Sequence, residues 1–156
     1  MTVSSVLIVE DVPRKFEEVR RLVTEMFPEA HVSRAETFTE GEDLIRRGNF
    51  DLLVLDISMD ISPGSAGPLH LGHAILGGLD LAECMFYDDI ALPTLILTGF
   101  DTFPVATEDA TDVLTVADIE AKVRGHIGDN LIGCVRYGRS GWAEHFRDKV
   151  GSRWQR

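Results

Sequence analysis

Three carboxylates stand where short apolar runs end. Glu10 and Asp11 follow Val6-Leu7-Ile8-Val9, and Asp56 follows Leu52-Leu53-Val54-Leu55. Two further runs end on Thr98 (after Thr94-Leu95-Ile96-Leu97) and on Arg136 (after Leu131-Ile132-Gly133-Cys134-Val135). Apolar runs this short, closed by polar residues, read as strands buried on both faces. If the strands are parallel, their carboxyl ends share one edge, and carboxylates meeting there repel unless a cation compensates them. Mg2+ takes hard oxygen ligands of this kind. Beside such an ion a carboxylate can act as nucleophile while the charge on incoming phosphoryl oxygens is neutralised. The Thr98 hydroxyl and the Arg136 guanidinium would complete the contacts to a phosphoryl group.

The elements between these strands must fold them together. Pro13 suits a first helical turn, and Phe16, Val19, Leu22, Val23 and Met26 recur at helical spacing, with Arg14, Lys15, Glu17, Glu18 and Arg20 between them. Pro28 ends that helix, and His31 to Ala35 reads as a short strand. Thr39 and Glu42 form a capping-box pattern before Leu44 and Ile45, and Gly48-Asn49 closes that helix. Ile57 to Gly78, rich in glycine and proline, reads as a long loop. A helix is expected from Leu79 to about Tyr87, and a Pro- and Thr-containing loop after Thr98. Thr115 and Asp118 resemble a second cap, ahead of Val116, Ile119, Val123 and Ile127 on one helical face. Ser140 is the expected cap of a last helix carrying Trp142, Phe146 and Val150. Strands and helices therefore alternate five times. That pattern specifies an α/β fold: a doubly wound, five-stranded parallel sheet with helices on both faces.

Composition narrows the function. The chain has 156 residues, 44% hydrophobic and 26% charged, which fits one globular domain over about residues 1–150. No apolar run is long enough to span a bilayer, and no basic segment precedes the first one, so no membrane association and a cytoplasmic location are expected. Cys84 and Cys134 lie in apolar contexts and suggest no disulfide framework. The net charge of −11 argues against nucleic acid as a partner. Basic residues concentrate after Cys134 (Arg136, Arg139, Arg147, Lys149, Arg153, Arg156), which suits an acidic partner surface or a second copy of the chain. Trp154, after Gly151, is expected to be exposed, and His70 and His73 are read as surface histidines of the long loop.

With those residues in view, the sequence resembles the receiver domain of two-component response regulators, a CheY-like, flavodoxin-like fold. Val6 to Asp11 is similar to the family's first strand with its acidic pair, Asp51 to Asp56 to the strand ending in the phosphoacceptor, and Leu97-Thr98-Gly99 to the strand bearing the switch hydroxyl. The resemblance runs from Val6 to about Val150 in the family's order. It implies that Asp56 accepts a phosphoryl group from a histidine kinase or phosphotransfer protein. It implies a Mg2+ site of Glu10, Asp11, Asp56 and the backbone carbonyl of Ser58, with Thr98 and Arg136 touching the phosphoryl group. An unidentified downstream protein would read the state, and a homodimer is a further expectation.

The sequence also departs from that pattern. Arg136-Tyr137 stands where the family has lysine and proline, and Gly133 stands where it has an aromatic switch residue, leaving Phe100 or Tyr137 as candidate substitutes. The loops after the third and fourth strands are expanded, the first an insertion over about 57–78 that places Gly78-Leu79 at the family's Gly-Leu. Residues 151–156 read as a short tail, with no output domain. Arg136 and Gly133 motivate a second reading, a pseudo-receiver that binds partners without phosphate; a third is a phosphohydrolase resembling the haloacid dehalogenase class, which also uses an aspartate at one strand end and a threonine or serine at another. The last would need an acid where Ser58 stands.

Overall fold

The computed structural model describes residues 2–57, 77–106 and 111–154. The apolar runs, with the short segment from His31 to Ala35, form the strands β1 (Ser5–Val9), β2 (His31–Ala35), β3 (Leu52–Leu55), β4 (Thr94–Thr98) and β7 (Leu131–Arg136). These form one five-stranded sheet in the order β2-β1-β3-β4-β7, every neighbouring pair parallel. Helices α1 (Pro13–Met26), α2 (Phe38–Arg47), α3 (Gly77–Tyr87), α4 (Val116–Ile127) and α5 (Trp142–Trp154) connect or follow the strands.

Because side chains alternate across a strand, the central strands supply two cores. Leu7, Val9, Leu53, Leu55 and Ile96 face α2, α3 and α4, where Ile45, Leu81, Met85, Ile119 and Val123 close over them. Val6, Ile8, Leu52, Val54, Leu95 and Leu97 face α1 and α5, meeting Phe16, Val19, Val23, Phe146 and Val150. No helix among the described residues is long and apolar enough to cross a membrane.

Local signals explain most boundaries. Pro13 sits in the first turn of α1, where its missing N–H costs nothing. Thr115 and Asp118 make a reciprocal capping box at α4. The cap of α2 lies two residues earlier than the spacing suggests. Thr37 accepts from the Glu40 N–H, while the Glu40 carboxylate accepts from the Glu36 N–H. Gly141, at φ 79°, directly precedes α5, so Ser140 stands one residue too early for the expected cap.

The segment after β4 also differs from expectation. Instead of a loop, β5 (Thr102–Ala106) and β6 (Thr111–Thr115) pair antiparallel as a separate ribbon. Thr102-Phe103 and Val113-Leu114-Thr115 favour extended backbone, and Phe103 is fully buried against the α2–α3–α4 face. Pro104 is tolerated because a two-stranded ribbon consists only of edges. Trp154 is half-buried rather than exposed, its ring edge-on to Phe27 at 5.9 Å. The expanded segment around 57–78, with His70 and His73, lies outside the described residues except at its ends.

Candidate functional site

Register places the first two acids level. Val9 pairs with Leu55 across β1 and β3, so the residues that follow, Glu10 and Asp56, come side by side, with the Asp56 N–H donating to the Val9 carbonyl at 3.1 Å. On the other side of β1, the Glu10 N–H donates to Ala35 O at 2.9 Å. Leu55 pairs with Ile96, which brings Leu97 and Thr98 of β4 to the same edge. Ligand-capable oxygens of Glu10, Asp11 and Asp56 all lie within 4.8 Å of one another. Glu10 and Asp56 are buried, at 2% and 6% exposure, and Asp11 is half-buried. A set of hard carboxylate oxygens this close fits Mg2+ chemically.

The positive charge of the site comes from helix α1. Lys15, only 4% exposed, places Nζ 2.6 Å from Glu10 Oε2 and 3.1 Å from Asp56 Oδ2. Its third donor goes to the Leu97 carbonyl at 2.9 Å. An ammonium has three N–H donors, and here each finds an acceptor on a different strand end. Glu10 is equally engaged, its Oε1 accepting from the Val12 N–H at 3.0 Å. Burial and the neighbouring Asp56 charge nevertheless push the Glu10 carboxyl above its ordinary value, against the opposing pull of Lys15.

Arg136 does not share that role. Its Nε donates to Asp101 at 2.9 Å and its Nη1 to the Tyr137 carbonyl at 2.6 Å, while Arg139 reaches the same Asp101 oxygen at 2.9 Å. Thr98 is 1% exposed at the end of β4, its Oγ1 accepting from the Phe100 N–H at 3.2 Å. Phe100 is exposed, with its ring near Phe103. Tyr137 sits closer to the acids: the Lys15 ammonium lies 5.4 Å from its ring centre, the Trp142 ring meets it in an edge-type contact at 4.9 Å, and its hydroxyl donates to Glu18. Burial and that acceptor push the Tyr137 phenol up to about 12. Gly133 leaves room that the Lys149 side chain covers, since a Cβ there would come 3.1 Å from Lys149 Cδ. Ser58 lies outside the described residues.

Two supports flank the acids. A Cβ at Gly78 would come 2.6 Å from the Asp56 carbonyl, so glycine lets α3 start directly against that backbone. The Gly78 N–H donates to Ile57 O at 3.1 Å. On the β2 side, Arg34 stacks 4.6 Å from the Phe16 ring centre, pairs with Glu36 and points at the Glu10 and Asp11 carbonyls.

Lys15 belongs to the site although the sequence sets it only among the charged residues between the apolar positions of α1. Two signals were available. It precedes Val19 and Leu22 by four and seven residues, which puts it on the apolar stripe of α1. It also places a cation in the first turn of a helix, where the helix dipole favours acids. A lysine that violates both rules needs a buried anion.

No protein-family profile and no curated protein matches the sequence. Solved structures do. The chain is similar to a CheY-like response regulator receiver domain protein from Methanospirillum hungatei JF-1, at 14% identity over 97% of this chain and 94% of that one, with a TM-score of 0.63. It is similar to the receiver domain of the Francisella response regulator 1452, at 18% identity over 97% of both chains, TM-score 0.57. It is also similar to the response regulator protein TrrA from Thermotoga maritima in complex with Mg(2+)-BeF, at 16% identity over 96% of this chain and 97% of that one, TM-score 0.61. At these identities the likeness defines the fold. The chain has the receiver-domain fold of response regulators.

Proposed function

We propose that this protein is a response-regulator-like signalling domain in a phosphorelay, with Asp56 as phosphoacceptor. The convergence of Glu10, Asp11, Asp56 and Lys15 at one sheet edge is the observation that carries this reading. Glu10 and Asp11, with Asp56 and the Ser58 carbonyl, would hold Mg2+. The ion would neutralise phosphoryl oxygens as they approach the acids.

A carboxylate oxygen of Asp56 attacks phosphorus, the bond to the donor breaks, and its electron pair leaves with the donor. Asp56 then carries an acyl phosphate. Lys15 orients the Asp56 carboxylate through Oδ2, and with Asp56 only 6% exposed little water competes for that carboxylate. Turning of the Thr98 hydroxyl toward the phosphoryl group would break its bond to the Phe100 N–H and so reach the β5–β6 ribbon. A histidine kinase or phosphotransfer protein would supply the group, and a downstream protein or a second copy of the chain would read the result, in the cytoplasm.

The test is labelling with acetyl phosphate and Mg2+, followed by intact mass, on wild type and Asp56→Ala. A labile adduct of one phosphoryl group, absent from the variant, is expected. Equal labelling of both proteins removes Asp56 from the role.

A phosphate-independent pseudo-receiver is the second reading. The specific observation in its favour is that Lys15 already offsets part of the acid cluster's charge, so the site can stand without an ion. No adduct under conditions that label an ordinary receiver selects it.

A further inference from the structure

We infer that Lys15 is the resident cation of the acid cluster: it takes the part expected of Arg136, and a divalent ion must compete with it for Glu10. The inference rests in part on the phosphoacceptor reading of Asp56, and its test separates the two.

The argument starts from donor and acceptor accounting. The Lys15 ammonium spends its three donors on Glu10 Oε2, Asp56 Oδ2 and the Leu97 carbonyl. Both Glu10 oxygens are thereby engaged, one by Lys15 and one by the Val12 N–H. A buried carboxylate already paired with a buried ammonium is a weaker ligand for a second cation, because the two positive charges repel across a short, poorly screened distance. The cluster still contains three carboxylates to one ammonium, so ion binding remains favourable overall while Lys15 lowers its strength.

The same ammonium is placed to meet a phosphoryl group on Asp56. Lys15 contacts the Asp56 carboxylate itself, whereas Arg136 gives its guanidinium to Asp101 and to a backbone carbonyl. Lysine on α1 also links the site to a helix, and Tyr137 lies under that ammonium. The cation is thus delivered from the opposite end of the chain from the arginine that sequence order suggests. Before phosphate it is a positioning residue, and its contacts are shared between metal side and acceptor side.

The experiment titrates MgCl2 calorimetrically into wild type, Lys15→Met, Lys15→Gln and Arg136→Ala, then labels the same four proteins with acetyl phosphate. Lys15→Met is expected to bind Mg2+ tighter by about tenfold or more. It is expected to lose labelling rate by about tenfold or more. Arg136→Ala should stay within about twofold of wild type in both. Tighter metal with poorer labelling is a split that general loss of structure does not produce. Lys15→Gln keeps N–H donors without the charge and serves if Lys15→Met does not fold, with the same split expected. A wild type too weak to saturate beside a Lys15 variant that saturates also supports the inference.

Unchanged or weaker Mg2+ binding in the folded Lys15 variants overturns it, whatever the labelling shows. So does a tenfold loss of labelling in Arg136→Ala. If wild type takes no phosphoryl group but the Lys15 variants bind Mg2+ tighter, the phosphoacceptor reading fails and Lys15 as resident cation stands.

Discussion

Two basic–acidic clusters lie along the carboxyl edge of the same sheet, and they are built from opposite materials. At β1 and β3, Lys15 joins Glu10 and Asp56 with side chains 3–7% exposed. At β4 and β7, Arg136 and Arg139 share Asp101, whose side chain is 57% exposed. Distances are similar in both, at 2.6–3.1 Å in the first and 2.9 Å in the second. Surroundings make the difference. Water screens and solvates the second cluster, so each partner is nearly as well off alone. In the first, removal of one charge leaves the others stranded in a poorly solvated place. A contact's length is therefore a poor guide to what it controls.

The sharpest way to break this comparison is to remove the buried cation. Lys15→Met is expected to lower unfolding stability in urea by about 3–5 kcal/mol, because it leaves Glu10 and Asp56 facing each other without a counter-charge. Adding Asp56→Asn should recover part of that loss, since one of the stranded charges goes with it. Additive losses in the double variant would mean that Lys15 stabilises through the packing of its stem alone.

A carboxylate at the other end of the sheet tests the intermediate case. Asp51 Oδ2 accepts from the Ser4 N–H at 2.8 Å, the Ser4 hydroxyl at 2.8 Å and the Ser5 N–H at 3.0 Å, tying the start of β3 to the start of β1. These donors hold its carboxyl below the ordinary value of 3.8. Neutral donors and half-burial predict a loss of about 1–2 kcal/mol in Asp51→Ala at neutral pH. The sign with pH follows from the lowered value. The stabilisation is fully present above the ordinary carboxyl value and disappears as pH falls through the lower, folded one. The gap in urea unfolding between wild type and Asp51→Ala should therefore begin to narrow below pH 3.8 and close only once pH has passed the lower, folded value, and a gap that persists beyond that would assign the effect to shape rather than charge.

Sequence legibility divides along the same line. The strands, their order of appearance and the level placement of Glu10 and Asp56 were readable, because apolar runs ended by acids leave few alternatives in a parallel sheet. Lys15 was not read, because a lysine is normally a solvated residue and its partners lie on three strands that only the fold brings together. Arg136 was read by its position after an apolar run, yet position does not say which acid a long side chain will take. Asp101, in the segment expected to be loop, was the competitor. The β5–β6 ribbon escaped because Pro104 and the threonines read as loop punctuation, while the burial of Phe103 that anchors the ribbon is a tertiary fact. Cys84 and Cys134 stand in apolar sequence contexts yet are only half-buried, with the Cys84 thiol beside Arg46 and Asp88.

The smallest expected effect is at the exposed cluster, and it bears on the basic segment as a whole. Arg147 is held by Glu25 and Arg153 by the Asp129 carbonyl, just as Arg136 and Arg139 are held by Asp101. These cations are spent largely on this chain's own surface, which leaves less unshared charge for an acidic partner than their sequence clustering implies. Arg136→Ala should cost about 0.2–1 kcal/mol of stability, and the cost should shrink as salt is raised from low ionic strength toward 1 M. Asp101→Ala should match it within error and show the same salt dependence. A loss of several kcal/mol in Arg136→Ala, insensitive to salt, would make the two clusters alike, and the contrast between a buried ammonium and a solvated guanidinium would no longer explain which of them governs Asp56.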